Sequence, residues 1–539
     1  MENNKNTFIA IALMLGVWVV FSILFPPTKQ EPAEQPEKPA VEQVAPTQES
    51  APVVTPAASP ALAVATPAPA PAEEKEIVVQ TDLYKAVFTS IGARLKQLEL
   101  NNFRVEDSEG SPLVSIIDTV NPEKGTFRLN GNNGISLSSE APYSVSAETS
   151  NISLSGDETR KLVFTTTTAE GVVVEKEFTL NASSYAIDLA VRVSNNGTLP
   201  VRGGLDLALV QHYDESVESD QFSFTGGATL VADEVDKVEI DDLKEKSVSY
   251  GKSARWSAYE TKYFISALVP LDNASEQIRV QFTEDNSIEN SFSLAVPSLN
   301  PGMTAQYDFM SYLGPRNKSI LESVNHDLAK AIDYGFFSVI SEPLLWFMNM
   351  INDYTHNYGI AIILLTVLIK LLFWPLTHKS YVSMKSMQKL QPEIQKIRER
   401  FKNDRTRQGQ ETMELYKKHR VNPMSGCLPM VIQIPVFFAL YRVLYEAIEL
   451  RHTDFMFWIT DLSAKDPYYI TPIVMGATMF IQQKMTPSTM DPKQAKIFLM
   501  MPVIFTVMFL NFPAGLVIYW LVNNLLTIAQ QYYIHKKFS

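Results

Sequence analysis

One cysteine, Cys427, occurs in 539 residues, which excludes an internal disulfide and leaves any exported domain to hold together by core burial alone. In GCLPM it reads as a small buried thiol at a helix entrance, a nucleophile being the alternative. Histidine is scarce too. There are seven, and His212 and His326 stand isolated, with neither metal-ligand spacing nor a nucleophile elbow around them. No phosphate-binding loop is present. The sequence therefore carries no catalytic constellation and implies neither a cofactor nor an enzyme. The last shortage is of acid in apolar runs: five long ones in the second half of the chain have no Asp or Glu in their interiors, Glu446 lying at the edge of its run.

What is there is unevenly spread. Residues 378–421 carry twelve Lys and Arg against five Asp and Glu, so the remainder of a chain with net charge −13 sums to −20. A basic cytosolic loop and an acidic domain across a membrane have this asymmetry. A nucleic-acid binder does not, and no DNA partner is expected. Residues 8–25, FIAIALMLGVWVVFSILF, read as an uncleaved signal anchor closing at residue 25, with a cleaved signal peptide as the alternative. Residues 26–75, dominated by Pro, Ala and Glu, cannot bury enough apolar surface to fold and form a linker.

From 76 to 325 short alternating segments such as GVVVEKEFTL and YAIDLAVRVS are separated by turn signals, among them Asn132-Asn133-Gly134 and Asn195-Asn196-Gly197. They predict a large antiparallel β-sandwich domain. Within 326–352, the run YGFFSVISEPLLWFMNMI is interrupted by Glu342 and Pro343. It reads as an interfacial amphipathic helix, or as the last core helix of the β domain. Residues 353–539 then hold five spans, near 359–376, 427–448, 469–483, 497–512 and 515–534. Their connections alternate in charge, and the positive-inside rule places the amino and carboxyl termini in the cytosol and the β domain outside.

The basic stretch has a period of its own. Met384, Met387, Leu390, Ile394, Ile397 and Phe401 recur at helical spacing, and Met413 and Tyr416 mark a second segment, which predicts an antiparallel helical hairpin over 378–421. Its charges, with Lys396, Arg400, Arg405 and Arg407 as exposed examples, are either a docking surface or a solvated face that only sets topology.

One residue breaks the apolar pattern. Lys370 lies inside LTVLIKLLFWPLT, where a charge costs roughly 2.5–3.5 kcal/mol on insertion scales. Snorkelling to the headgroups is the bland reading. Counting from the cytosolic ends of the spans, however, Lys370, Gln433, Gln482, Asn523, Asn524 and Thr527 all fall in the cytosolic half, and the outer half is aliphatic or aromatic. A cation at that depth without a carboxylate is tolerable where water reaches it, so the shared depth points to a hydrated groove open to the cytosol. Separate interhelical hydrogen bonds are the alternative for each amide.

NPMSGCLPMVIQIPVFFALYRVL, DPYYITPIVMGATMF, MPVIFTVMFLNFPAGLVIYWLVNNLLTIAQQ and the WPLT that ends the lysine-bearing run resemble the membrane core of the YidC insertase family. The anchor, linker and large β domain resemble the Gram-negative members. The resemblance implies a monomeric, multi-pass inner-membrane insertase and chaperone with a periplasmic β supersandwich similar in fold to sugar mutarotases. Its clients would be nascent membrane proteins, received alone or beside the Sec translocon, with the ribosome, a targeting receptor and membrane lipids as further partners. The implied groove is formed by Lys370, Thr366, Gln433, Asn523 and Asn524, with Tyr519 and Trp520 where familiar members place a substrate-contacting tyrosine. Lys370 stands where those members commonly carry arginine, keeping the charge without the planar fork. A secondary transporter, the rival reading, predicts repeated halves and acidic coupling residues, and neither is present. A Ser-Lys hydrolase needs a serine at the depth of Lys370, and the five spans contain none.

Overall fold

The computed structural model describes residues 73–538 except 118–124, 148, 216–222, 273, 420, 422–427 and 487–491. The anchor expected at 8–25, the linker up to residue 72 and Cys427 lie outside the described residues.

Strict alternation builds the β-rich region. In the strand Val172–Asn181, Val172, Val174, Phe178 and Leu180 point inward and the residues between them are partly exposed. The neighbouring strand Ala186–Asn195 repeats the pattern and pairs with it from Ile187 opposite Leu180 to Asn195 opposite Val172. Both belong to a nine-stranded sheet, and two five-stranded sheets complete the region. Pairing is antiparallel with one exception among the described strands, Glu76–Gln80 beside Asn151–Ser153, which run parallel. A large apolar core that includes Phe88, Phe178, Trp256, Phe292 and Phe309 joins the sheets, and a smaller one around Ile240, Leu243, Tyr259, Val280 and Ile288 lies beside it.

The same alternation carries a lysine inward. Lys176 is fully buried, and its Nζ donates to the carbonyls of Gly92 at 3.0 Å, Ala93 at 2.6 Å and Phe127 at 2.6 Å. All three ammonium donors thus have an acceptor. Burial, and then the like charge of Arg94, push its pKa well below the ordinary lysine value.

Two short helices, α1 (Ile240–Glu245) and α2 (Lys318–Val324), accompany the sheets. After α2 the chain makes a 3-10 turn, Leu328–Ala331, whose Leu328 and Ala331 are buried in the β core. The β core therefore continues past residue 325, because the chain does not leave the sheets until these side chains are covered. The helix expected within 326–352 begins only at Ser338: α3 spans Ser338–Thr355 and buries Ser341, Leu345, Met348 and Ile351. Leu345, Met348 and Ile351 belong to the core of the helical region, not to that of the sheets. Phe336, Val339 and Trp346 stay exposed on and just before it.

The helical region consists of α4 (Tyr358–Lys389), α5 (Gln391–Arg400), α6 (Arg405–Lys418), α7 (Leu428–Glu446), α8 (Ile470–Met485), α9 (Pro492–Phe509) and α10 (Ala514–Phe538). Among the described residues α4 is the one helix long and apolar enough to cross a membrane, and Leu499–Phe509 is a shorter apolar helix. At 1.5 Å per residue α4 is about 48 Å long, well beyond a hydrocarbon core of about 30 Å. The hairpin thus does not begin at 378. Nothing in 378–389 breaks the helix, and the chain turns at Leu390, where Pro392 opens α5. Met384, Met387, Leu390, Ile394 and Tyr416 form a small separate core there, while Met413 is exposed.

Packing among the helices is close where side chains vanish. A Cβ on Gly476 of α8 would lie 1.9 Å from Thr506 Oγ1 of α9, and one on Gly359 of α4 would lie 1.9 Å from the Phe455 ring. Glycine is the residue that permits both approaches.

Candidate functional site

α4, α7 and α10 enclose a narrow cleft. It is lined by Ile369, Lys370, Phe373, Leu376 and Thr377 from α4, Ile432, Gln433 and Val436 from α7, and Asn523 from α10. The cleft has room for about one water.

A polar chain crosses this cleft. Lys370 Nζ donates to Thr527 Oγ1 at 2.8 Å, and Thr527 Oγ1 donates to the Asn523 carbonyl at 2.6 Å. The Asn523 side-chain oxygen accepts from Gln433 Nε2 at 2.9 Å. Three helices are thereby tied through one cation and three uncharged groups. Lys370 makes no ion pair among the described residues, so the ammonium keeps donors beyond the one that Thr527 occupies.

Helical geometry explains which expected residues reach the cleft. Tyr519, Asn523 and Thr527 are spaced by four and share one face of α10, whereas Asn524 is rotated by about 100° from Asn523. Asn524 is accordingly buried against α8, with its Nδ2 3.4 Å from Thr478 Oγ1. This removes it from the expected groove wall. Thr366, one turn above Lys370, is buried and donates to its own helix, to the Ile362 carbonyl at 2.6 Å. Tyr519 is buried with its hydroxyl beside Gln433, one turn above Asn523, and is not among the residues that line the cleft. Trp520 packs among Phe437, Phe505 and Phe509, with ring centroids 4.8, 6.2 and 5.3 Å away. It lies in an aromatic cluster between α7, α9 and α10, away from the lysine.

Above the cleft the core is mainly apolar, with Ile362, Leu365, Leu440, Val443, Leu516 and Val517, its buried hydroxyls on Thr366 and Ser341 being spent on backbone carbonyls. Thr377 is a polar lining residue that sequence reasoning missed. It accepts from Gln530 Nε2 at 2.8 Å, and its spacing of seven from Lys370 was the available signal, since i and i+7 share a helix face.

At the hairpin, Lys396, Arg400 and Arg407 are exposed. The guanidinium carbons of Arg400 and Arg407 lie 5.6 and 5.3 Å from the centroid of the Phe401 ring, so one aromatic holds two cations at the tip. The Arg405 side chain lies outside the described residues.

Two family models match the chain: the 60Kd inner membrane protein family over residues 350–539, and the YidC periplasmic domain over residues 76–347. The membrane protein insertase YidC of Geotalea uraniireducens is 42% identical over 532 residues, covering 99% of each chain. That of Syntrophus aciditrophicus is 43% identical over 545 residues, covering 99% of this chain and 100% of its own. Among solved structures, an active YidC insertase with its first transmembrane domain resolved matches 86% of this chain and 93% of its own at 21% identity, with a TM-score of 0.38. An identity above 40% that runs from end to end, through the β-rich and the helical region alike, leaves one assignment: this chain belongs to the YidC family of membrane protein insertases.

Proposed function

We propose that the cleft between α4, α7 and α10 is where this insertase receives its clients. As a member of its family the chain is a membrane protein insertase of the inner membrane with a periplasmic β-rich domain, and its substrates are nascent membrane proteins. The observation that carries the site is the Lys370 ammonium, which among the described residues is bound by Thr527 and lies beneath a mainly apolar core.

The mechanism follows from the cost of desolvation. A client's polar tail resists the hydrocarbon because each unpaired polar group costs several kcal/mol there. Lys370 lies twelve residues into α4, about 18 Å from its first residue, so a cleft open from the cytosol to that depth would cut the dry path from about 30 Å to about 18 Å. The ammonium attracts acidic residues of the tail, Gln433 and Asn523 offer hydrogen bonds, and the apolar segment leaves between α4 and α7 into lipid. The membrane potential, about 2.3 kcal/mol per charge per 100 mV, draws a negative tail outward.

On this reading five helices of the core, α4 and α7–α10, cross the bilayer. The β-rich domain, folded as a supersandwich, lies in the periplasm, α3 lies at the interface with Trp346 toward lipid, and the hairpin and carboxyl terminus are cytosolic. The exposed cations of the hairpin dock ribosomes or a targeting receptor, and the protein works as a monomer, alone or beside the Sec translocon. A photoreactive side chain at Gln433 tests the site. It should crosslink to stalled nascent chains bearing a first transmembrane segment, whereas one at Ser155, on the exposed surface of the β region, should not. Equal crosslinking at both positions, or none at Gln433, overturns the assignment.

A further inference from the structure

The loop between α7 and α8 is built around a projecting apolar tip. Phe457 is 86% exposed and Met456 beside it 44%, although both follow directly on a tightly held segment. Phe455 donates its N–H to the Ile459 carbonyl at 3.0 Å, and Ile459 donates back to the Met456 carbonyl at 3.3 Å. The base of this turn is fixed on two sides. Asn357, which caps α4, donates through Nδ2 to the Phe455 carbonyl at 3.1 Å, and the Phe455 ring lies against Gly359. On the other side Trp458 Nε1 donates to Asp466 Oδ1 at 3.0 Å. Asp466 is itself buried and accepts from the Tyr468 N–H and from both the N–H and the hydroxyl of Thr471 at the start of α8.

Phe457 has φ +59°, a conformation that costs a bulky residue on the order of 1–3 kcal/mol. A free loop would relax by turning the ring inward. Here the fixed flanks hold the tip in the left-handed region and keep Met456 and Phe457 out. The turn is bolted to the first turn of α4, where the apolar run of a membrane-crossing helix begins. Tyr468, Tyr469 and Ile470, at the start of α8, are exposed near the same anchor. Exposed aromatics at the ends of spanning helices are the usual occupants of the headgroup level of a bilayer.

We infer that the Met456–Phe457 tip enters the lipid surface at the headgroup–acyl boundary of the outer leaflet and fixes the height of α4 in the bilayer. The partner is lipid and not protein, because the tip offers two apolar side chains and no donor or acceptor of its own beyond the backbone. The consequence reaches the cleft. Holding the first turn of α4 at the boundary sets Lys370 about 18 Å below it, leaving roughly 12 Å of a 30 Å hydrocarbon core on the cytosolic side. The side of the membrane rests on the topology proposed above; the contact with lipid does not.

The test uses the full chain in proteoliposomes, with Cys427→Ser as background and a nitroxide on Phe457→Cys, on Met456→Cys and, as an aqueous reference, on Ser155→Cys. Relaxation by oxygen relative to a water-soluble nickel chelate should be several-fold higher at 456 and 457 than at 155. A ratio at both tip positions equal to that at 155 overturns the inference. So does low accessibility to both reagents, which would mark a protein contact. Labelling of Lys465→Cys by a membrane-impermeant maleimide added outside intact cells reports the side separately, so a wrong topology and a dry tip give different results.

Discussion

At the scale of single residues the chain places two lysines where lysine is expensive, and it treats them differently. Lys176 is enclosed and saturated by three carbonyls; Lys370 has one hydroxyl and a cleft. Replacing Lys176 with Met keeps much of the volume and strands three buried acceptors, each costing about 1–3 kcal/mol when unpaired. The variant should lower the stability of the β region by on the order of 3 kcal/mol or more, read as a shifted urea midpoint for the isolated region, and leave insertion by the assembled protein near normal. At Lys370 the opposite pattern is expected. A charge pair at 4 Å is worth about 4 kcal/mol at an effective dielectric of 20 and about 1 kcal/mol in water. Lys370→Ala should therefore slow insertion of a client with an acidic translocated tail by roughly fivefold or more, while Lys370→Arg, which keeps the charge, should be tolerated. Protease protection of the client checks this, with a neutral-tailed client as control; unchanged protection with the Ala variant refutes the role of the charge.

At the scale of elements, how far the sequence could be read depended on whether periodicity alone decided the outcome. Alternation made the strands legible, as in GVVVEKEFTL, and the same alternation placed Lys176 inward in register with Val174 and Phe178. That inward lysine was visible as a violation of pattern but its acceptors were not, since Gly92, Ala93 and Phe127 come from distant parts of the chain. The grouping of polar residues from α4, α7 and α10 was legible by counting. Its division was not, because rotation about α10 sends Asn523 to the cleft and Asn524 to α8, and only packing decides which neighbour lies where. The hairpin's apolar stripe was likewise legible, yet α4 runs through to Lys389 because no residue in 378–389 stops it. This geometry bears on the docking reading. α5 and α6 carry Lys396, Arg400 and Arg407 outward from a core of only a few side chains, so these cations can be reversed without disturbing it. Reversing all three to Glu should weaken co-sedimentation with ribosomes at moderate salt, because phosphate contacts are lost with their counterion release, and should leave the loop protease-accessible from the cytosol. If co-sedimentation and client insertion are both unchanged, the charge serves topology alone.

At the scale of the whole molecule, the β region and the helical region have separate apolar cores, both touched by Ile332, and otherwise meet through a seam of largely polar contacts. Arg451 donates to the carbonyls of Arg104 and Val105, and Lys262 lies 3.9 Å from the centroid of the Tyr445 ring. Asn317 donates to Glu449 Oε1 at 3.0 Å, and Lys318 pairs with Glu342 at 2.8 Å. Burial raises the pKa of the Glu449 carboxyl, as expected for a group enclosed by the seam. Contacts of this kind orient two bodies without merging their cores, and groups exposed by removing one body are readily solvated. The β region should therefore be dispensable for insertion, provided the cut respects the cores. A deletion ending at Asn325 leaves Leu328 and Ala331, both buried in the β core, as exposed apolar residues at the head of α3. A deletion of residues 73–332 removes them and keeps Tyr334, which is buried with the helices. The second deletion should support growth of an insertase-depleted strain at near wild-type rate, and the first should accumulate to a lower level in the membrane. Complete failure of the 73–332 deletion, in protein that immunoblotting finds in the membrane at normal abundance, would mean that the seam transmits something the core needs.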